Sequence, residues 1–481
     1  MGVTISPAAR GIQKNIHDSV AMRPLRIAAG FGIVALGALV LALLPAPHWI
    51  NALGVVVLCI LLPGFLLVML LLCRPNAPPT ILEFAVLGVA AGMGLAVVTM
   101  LLLSYLPGAL LWWQTLGVFS LLNLLGLLAV ALRRSPITLI SSESAWLPSD
   151  GSEQPLPMRR VMTALVIVLL VGAFFRLANL GYSEFHSDEA TVVLRSAGTL
   201  QGYESTLFLH RKGPTEILLV TPVFSSTDRL TELSARLPFA LAGLTFLAAA
   251  YLLVLRLFGL GPAFLASLLL ALEGYTIAFG RIVQYQSIVL LTCVVTLLLL
   301  YRLWRYPIGL LPYGMVAALI WATGLLSHWD AAFIAPVVLL LAVSLGNRCV
   351  REGRGRSFGL AVIAAIALGT VLLLLFYLPY VRHPGIQATS NYLFGERIGS
   401  RPPYNNLIDF FLRTTVYNST YFVGLLLLLT PSAVFYSLRG CRSRRFAWMG
   451  GLLAALLLLI ALFAPGEIHV ARSGAFALAF G

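Results

Sequence analysis

Apolar runs of membrane-crossing length alternate with short polar breaks along the whole chain. Thirteen such runs are readable, near 27–45, 50–72, 82–106, 111–132, 161–179, 232–257, 262–280, 283–301, 308–326, 331–346, 357–380, 414–438 and 446–464. A spanning helix needs roughly 20 apolar residues, so the pattern predicts an all-α polytopic membrane protein with about 13 transmembrane helices. After the fifth run the rhythm changes. Residues 181–216, GYSEFHSDEATVVLRSAGTLQGYESTLFLHRKGPTE, are polar and rich in both charge signs. Ser187 is a good N-cap there, and Ala190, Val193, Leu194 and Ala197 follow at helical spacing, which predicts a short amphipathic helix at the membrane surface. A second helix is expected to begin at Pro214, with Glu216 in its first turn.

Composition excludes a soluble domain. The 481 residues are 59% hydrophobic and only 10% charged, against about 25% charged in soluble domains. The basic N-terminus (Arg10, Lys14, Arg23, Arg26) is not followed by a small-residue cleavage site, so the first helix is expected to remain as an anchor. The net charge of +14 could suggest a nucleic-acid partner, but the cations sort by loop and exclude one. With the N-terminus cytoplasmic, 20 of the 32 Lys and Arg residues fall on the cytoplasmic side, in loops such as RLWR, NRCVREGRGR and RGCRSRR. That is the positive-inside pattern. It makes the chain a multi-pass cell-membrane protein with the 181–216 loop extracytoplasmic. Cys59, Cys73, Cys293, Cys349 and Cys441 fall in spans or beside cytoplasmic loops without C-x-x-C spacing, which argues against structural disulfides and a cysteine zinc site.

Three regions follow. Residues 1–132 hold four helices with tiny loops and almost no internal charge. Residues 133–160, rich in Ser and Pro and bounded by Arg pairs, read as a cytoplasmic linker. Residues 161–481 carry nine helices and the long external loops. The final stretch, SGAFALAFG, is too short to span, which raises the expectation of a module cut short at its C-terminus.

The candidate chemistry sits in the loop and at the outer helix ends. Asp188 and Glu189 would occupy the first turn of the amphipathic helix, where they serve either as catalytic carboxylates or simply as partners of the helix dipole. Arg211 and Lys212 precede the second helix, whose N-terminal amides would complete an anion site; the plain alternative is a pair of cations at a headgroup surface. His210 lies beside them. Arg281 sits at an outer turn. Glu273 lies inside an apolar run, where an ionisable group marks function by default or is a paired structural carboxylate. His328 and Asp330 form another tight outer turn. Glu467, His469 and an Asn418-Ser419-Thr420 sequon are further outer features.

The order of these pieces is specific. A span leads to FHSDEA and then to HRKGPTE. ELSARLPFALAGLTFLAAAYLLVLRLFG comes next, followed by LEGYTIAFGRIVQYQS and a helix ending in SHWDA. Over roughly 160–345 the chain resembles the GT-C membrane glycosyltransferases, in particular the protein O-mannosyltransferase-like family 39 and its prokaryotic branch. The resemblance implies a GT-C-like fold with a long first external loop containing interfacial helices. It implies a polyprenyl-phosphate-linked sugar donor and a lipid, glycan or protein acceptor outside the cytoplasmic membrane. It also implies that Asp188 is the first-loop acid acting on the acceptor hydroxyl, and that Lys212 binds the donor phosphate. Arg211 and Arg281 are further cations for that phosphate, and His210, Glu273, His328 and Asp330 are pocket residues. The family's Lys-Pro-Pro-like sequence is Lys212-Gly213-Pro214 here. The four N-terminal helices look like an accessory region found before such modules.

One displacement assisted by one base predicts inversion at the anomeric carbon. The sequence calls for no cofactor, although a divalent cation is compatible with the wider superfamily. Two rival readings remain at this stage: a transporter or flippase for an envelope lipid or polysaccharide, and a non-catalytic membrane scaffold. A transporter would place paired charges deep in several helices, and Glu273 is the clearest carboxylate within a run.

Overall fold

The computed structural model describes residues 19–141, 158–203, 205–210, 212–226 and 230–391. The expected spans 414–438 and 446–464, Arg211, Glu467, His469 and the Asn418 sequon lie outside the described residues. Among those described, ten helices are long and apolar enough to cross a membrane. They are α1 (Pro24–Leu43), α2 (His48–Leu71), α3 (Ile81–Ser104), α4 (Trp112–Ala131), α5 (Met158–Leu177), α9 (Glu232–Phe258), α12 (Gln286–Arg305), α13 (Leu310–Ser327), α14 (Trp329–Arg351) and α15 (Gly355–Arg382). Shorter helices lie between or beyond them: α6 (Ser187–Leu200), α7 (Ser205–Phe208), α8 (Thr215–Ser225), α10 (Leu260–Leu272), α11 (Gly274–Phe279) and α16 (Gly385–Asn391).

The expected run 262–280 is not one helix. It breaks at Glu273 into α10 and α11, and the break is satisfied from both sides. The Glu273 carboxylate accepts the N–H groups of Tyr275 and Thr276 at the start of α11, at 2.8 and 2.6 Å. Buried Arg176, from the end of α5, donates to the carbonyls of Ala271 and Leu270 at the end of α10 and to the Thr276 hydroxyl. Free N–H and C=O groups at helix ends are intolerable in an apolar medium, so this pair is what permits the break.

The four N-terminal helices are packed into the rest of the protein. α3 lies against α8, α9, α12, α13 and α15. It approaches α2 closely through small residues, since a Cβ on Gly64 or Gly92 would meet backbone carbonyls across the contact. Near the start of α3, Glu83 is fully buried and takes two guanidinium groups: Arg256 of α9 at 2.5 Å and Arg302 of α12 at 2.6 Å. Arg302 also donates to the carbonyls of Ala77 and Pro78, and the Tyr313 hydroxyl donates to Ala77. The four-helix region therefore does carry an internal charge, and its partners lie more than 170 residues away.

Part of the expected linker is ordered. Ile137–Ile140 forms an antiparallel two-stranded ribbon with Ser19–Met22, pairing Ser19 with Ile140 and Met22 with Ile137. This ribbon, the Glu83 cluster and a cavity of about 480 Å³ beside Arg74 and Arg133 all lie at one end of the bundle. The loop helices α6 to α8 lie at the other. There α6 turns Glu189, Val192, Ser196 and Thr199 inward, with the Ser196 hydroxyl donating to the Ile217 carbonyl of α8 at 3.2 Å, while Leu194 faces out. The helix begins one residue away from expectation, with His186 as its N-cap and Ser187 already helical.

Candidate active site

The site grows from an arginine one turn into the apolar helix α9. Arg236 is buried, and its Nε and Nη2 donate to the two oxygens of Glu189 at 2.9 and 2.8 Å. Its other contacts are the carbonyls of Leu180, Ser183 and Glu184, and the rings of Tyr182 and Phe185 flank it. The Glu189 oxygens also accept the backbone N–H groups of Val283 and His186, each at 2.9 Å. Burial alone would push this carboxyl up, but the Arg236 hydrogen bonds and the two backbone donors outweigh burial and hold it below the usual carboxylate range. Glu189 thus pins the start of α6 to α9 and to the turn before α12.

That pin aims the preceding residue outward. The Asp188 side chain is 60% exposed. Its Oδ2 accepts from Nε2 of Gln284 at 2.9 Å, and Oε1 of the same amide accepts from Nζ of Lys212 at 3.1 Å. The direct distance from Lys212 Nζ to Asp188 Oδ2 is 3.9 Å. Lys212 Nζ also lies 5.0 Å from the centroid of the Tyr285 ring, and Tyr285 stacks on His328 with centroids 3.9 Å apart. Gly213 explains the departure from a Pro-Pro sequence at this point. Its N–H donates to the Ser327 carbonyl at 3.2 Å, and a Cβ there would collide with the Leu326 carbonyl. Only glycine lets the Lys212 segment lie this close to the end of α13.

The remaining expected residues divide. Nε2 of His210 is 2.7 Å from Glu216 Oε2, both groups buried. Burial lowers the His210 imidazole below its ordinary value even though Glu216 opposes the shift. His328 Nδ1 lies 3.0 Å from Asp330 Oδ1. These two pairs flank Lys212. Arg281 is spent elsewhere: its guanidinium donates to the carbonyls of Phe175, Ala178 and Asn179, closing the end of α5. Glu273 serves the helix break. Arg236, Gln284 and Tyr285 were not anticipated. An Arg near the start of an apolar run was the signal for the first, and neutral Gln284 and Tyr285 gave none. Among the described residues, no group of three or more His, Cys, Asp or Glu side chains could hold a metal ion.

The Glu189–Arg236 lock has a pH signature. A carboxyl held low contributes stability above its unfolded value, about 4.3, and loses that contribution as pH falls through the folded value. Thermal unfolding of the detergent-solubilised protein should therefore show a drop on acidification below about pH 4 that is smaller in Glu189→Gln. An equal drop in both proteins would place the acid sensitivity elsewhere.

Residues 217–376 match the family model described as dolichyl-phosphate-mannose-protein mannosyltransferase. This match supports the resemblance to the GT-C glycosyltransferases. The matched stretch carries Arg236, Gln284, Tyr285 and His328, while Asp188 and Lys212 lie before it. The match points to a membrane glycosyltransferase, and the ten apolar helices fit a multi-pass membrane protein. No curated protein and no solved structure matches the chain.

Proposed function

We propose that this enzyme moves a sugar from a polyprenyl-phosphate donor to an acceptor hydroxyl on a lipid, glycan or protein, with inversion. The observation that carries this reading is the meeting of an exposed carboxylate, Asp188, with a cation, Lys212, 3.9 Å away at one end of a membrane bundle. Attack on an anomeric carbon needs a base within hydrogen-bond reach of the acceptor hydroxyl. It also needs a fixed cation where charge builds on the departing phosphate. Asp188 supplies the first and Lys212 the second. In the transfer, the acceptor oxygen forms the new bond to the anomeric carbon as its proton passes to Asp188. The bond from that carbon to the phosphate oxygen breaks, and its electron pair leaves with the polyprenyl phosphate beside Lys212. Glu189 touches neither reactant in this scheme; it positions Asp188. Glu216 Oε1 and the amide of Gln286 are buried without a protein hydrogen-bond partner among the described residues, and such groups suit the hydroxyls of a bound sugar.

The site end is extracytoplasmic in this reading. Arg133, Arg302, Arg305 and Arg348 cluster around the opposite end, where they meet the carbonyls of residues 69–78 and one another's helices. That is where a positive-inside protein faces the cytoplasm.

The cation's role is tested by Lys212→Met. Titrating labelled polyprenyl-phosphate mannose into membranes should show transfer reduced by about 10²-fold at low donor. The loss should be steeper than that of a charge-retaining Lys212→Arg variant. Equal donor dependence in all three proteins would remove Lys212 from the phosphate site.

A further inference from the structure

The geometry points to Gln284 as a spacer that keeps the acid and the cation of the site apart, each in a usable state; this rests on the transferase reading above. Its amide is 5% exposed and has both ends specified. Nε2 donates to Asp188 at 2.9 Å, and Oε1 accepts from Lys212 at 3.1 Å. Opposite charges 3.9 Å apart, one of them largely exposed, would close to direct contact if nothing stood between them, because attraction grows as the distance falls. A closed ion pair would harm both roles. The carboxylate would be a weaker base, and the ammonium would be occupied before a phosphate arrived.

A neutral amide is the side chain that fits this task, since it can donate to an anion and accept from a cation at once. A glutamate there would set a second negative charge beside Asp188, and an alanine would leave the gap open. Among the described residues, charges near the pair have partners of their own. Glu189 holds Arg236, Glu216 holds His210, and His328 stands against Asp330. His186 caps α6, on the same loop.

The chain offers an unusually clean probe, because Lys14 and Lys212 are its only lysines. Acetylation with an N-hydroxysuccinimide ester, read at Lys212 by mass spectrometry on the full-length protein in detergent, needs no sugar donor. Only the neutral amine reacts, so a carboxylate in direct contact, which favours the charged amine, slows labelling. Gln284→Ala should slow labelling of Lys212 several-fold relative to Lys14. Asp188→Asn in the same background should restore it. Gln284→Glu keeps the shape, guards against a folding failure of the alanine variant, and should also slow labelling.

Transfer activity supplies the second readout. The acid limb of the pH–rate profile should move to lower pH in Gln284→Ala and to higher pH in Gln284→Glu, a divergence that loss of packing does not produce. Wild-type labelling and an unmoved acid limb in both variants would overturn the spacer role. If labelling behaves as expected while Asp188→Asn alone keeps full transfer, the spacer stands and the assignment of the base fails.

Discussion

Asp188→Asn is expected to lower sugar transfer by about 10²–10⁴-fold while leaving the folded protein intact. The separation of the two effects follows from where the residue sits. Its side chain is largely exposed, and it accepts a hydrogen bond from Gln284. An asparagine carbonyl oxygen can still accept that bond, so the stability change should stay within about 0.5 kcal/mol, as for ordinary surface substitutions. What asparagine cannot do is take a proton from an acceptor hydroxyl. The neighbouring acid should behave in the opposite way. Glu189→Gln would disturb a carboxylate held by Arg236 and two backbone amides, so its first consequence is loss of folded protein. Transfer rates per folded molecule and thermal unfolding, measured on both variants, separate the two carboxylates. Equal losses of stability would contradict the division of labour.

Glu83→Ala is expected to destabilise the protein by about 3–5 kcal/mol, the range found when one partner of a buried ion pair is removed. Two guanidinium groups, Arg256 and Arg302, would then be left buried without their carboxylate. The consequence is large because the cluster joins the N-terminal helices to α9 and α12. For the same reason, a chain beginning at Met158 should fail to give monodisperse protein in detergent, although it retains every residue placed at the active site. Size-exclusion behaviour and thermal unfolding check both expectations. A stable, active module lacking residues 1–132 would show instead that the four helices are a separable addition.

Much of the architecture was legible because hydropathy and charge are local signals. Span positions, the polar loop, the adjacent acids and the Lys212-Gly213-Pro214 turn could all be read from short windows. What stayed hidden depends on distant pairing. Glu189 and Arg236 are 47 positions apart, and nothing in either window announces the other. Glu83 was not singled out, because its partners lie on α9 and α12. The break at Glu273 was masked by continuous hydropathy across 262–280. The residue read either as a functional intramembrane acid or as a structural carboxylate, and in the structure it caps α11. Arg281 does lie at a turn between helices, but its donors go to the end of α5. Gln284 could not have been singled out, since a neutral amide gains meaning only from the two charges it stands between.

The most direct test is transfer itself. Membranes carrying the full chain would be given radiolabelled polyprenyl-phosphate mannose and other polyprenyl-phosphate sugars. The product would then be fractionated into lipid, glycan and protein, and its anomeric configuration read. The account predicts label in one acceptor fraction with inverted configuration, release of polyprenyl phosphate, and loss of both in Asp188→Asn. Retained configuration, or undiminished transfer by the correctly inserted Asp188→Asn protein, would contradict it.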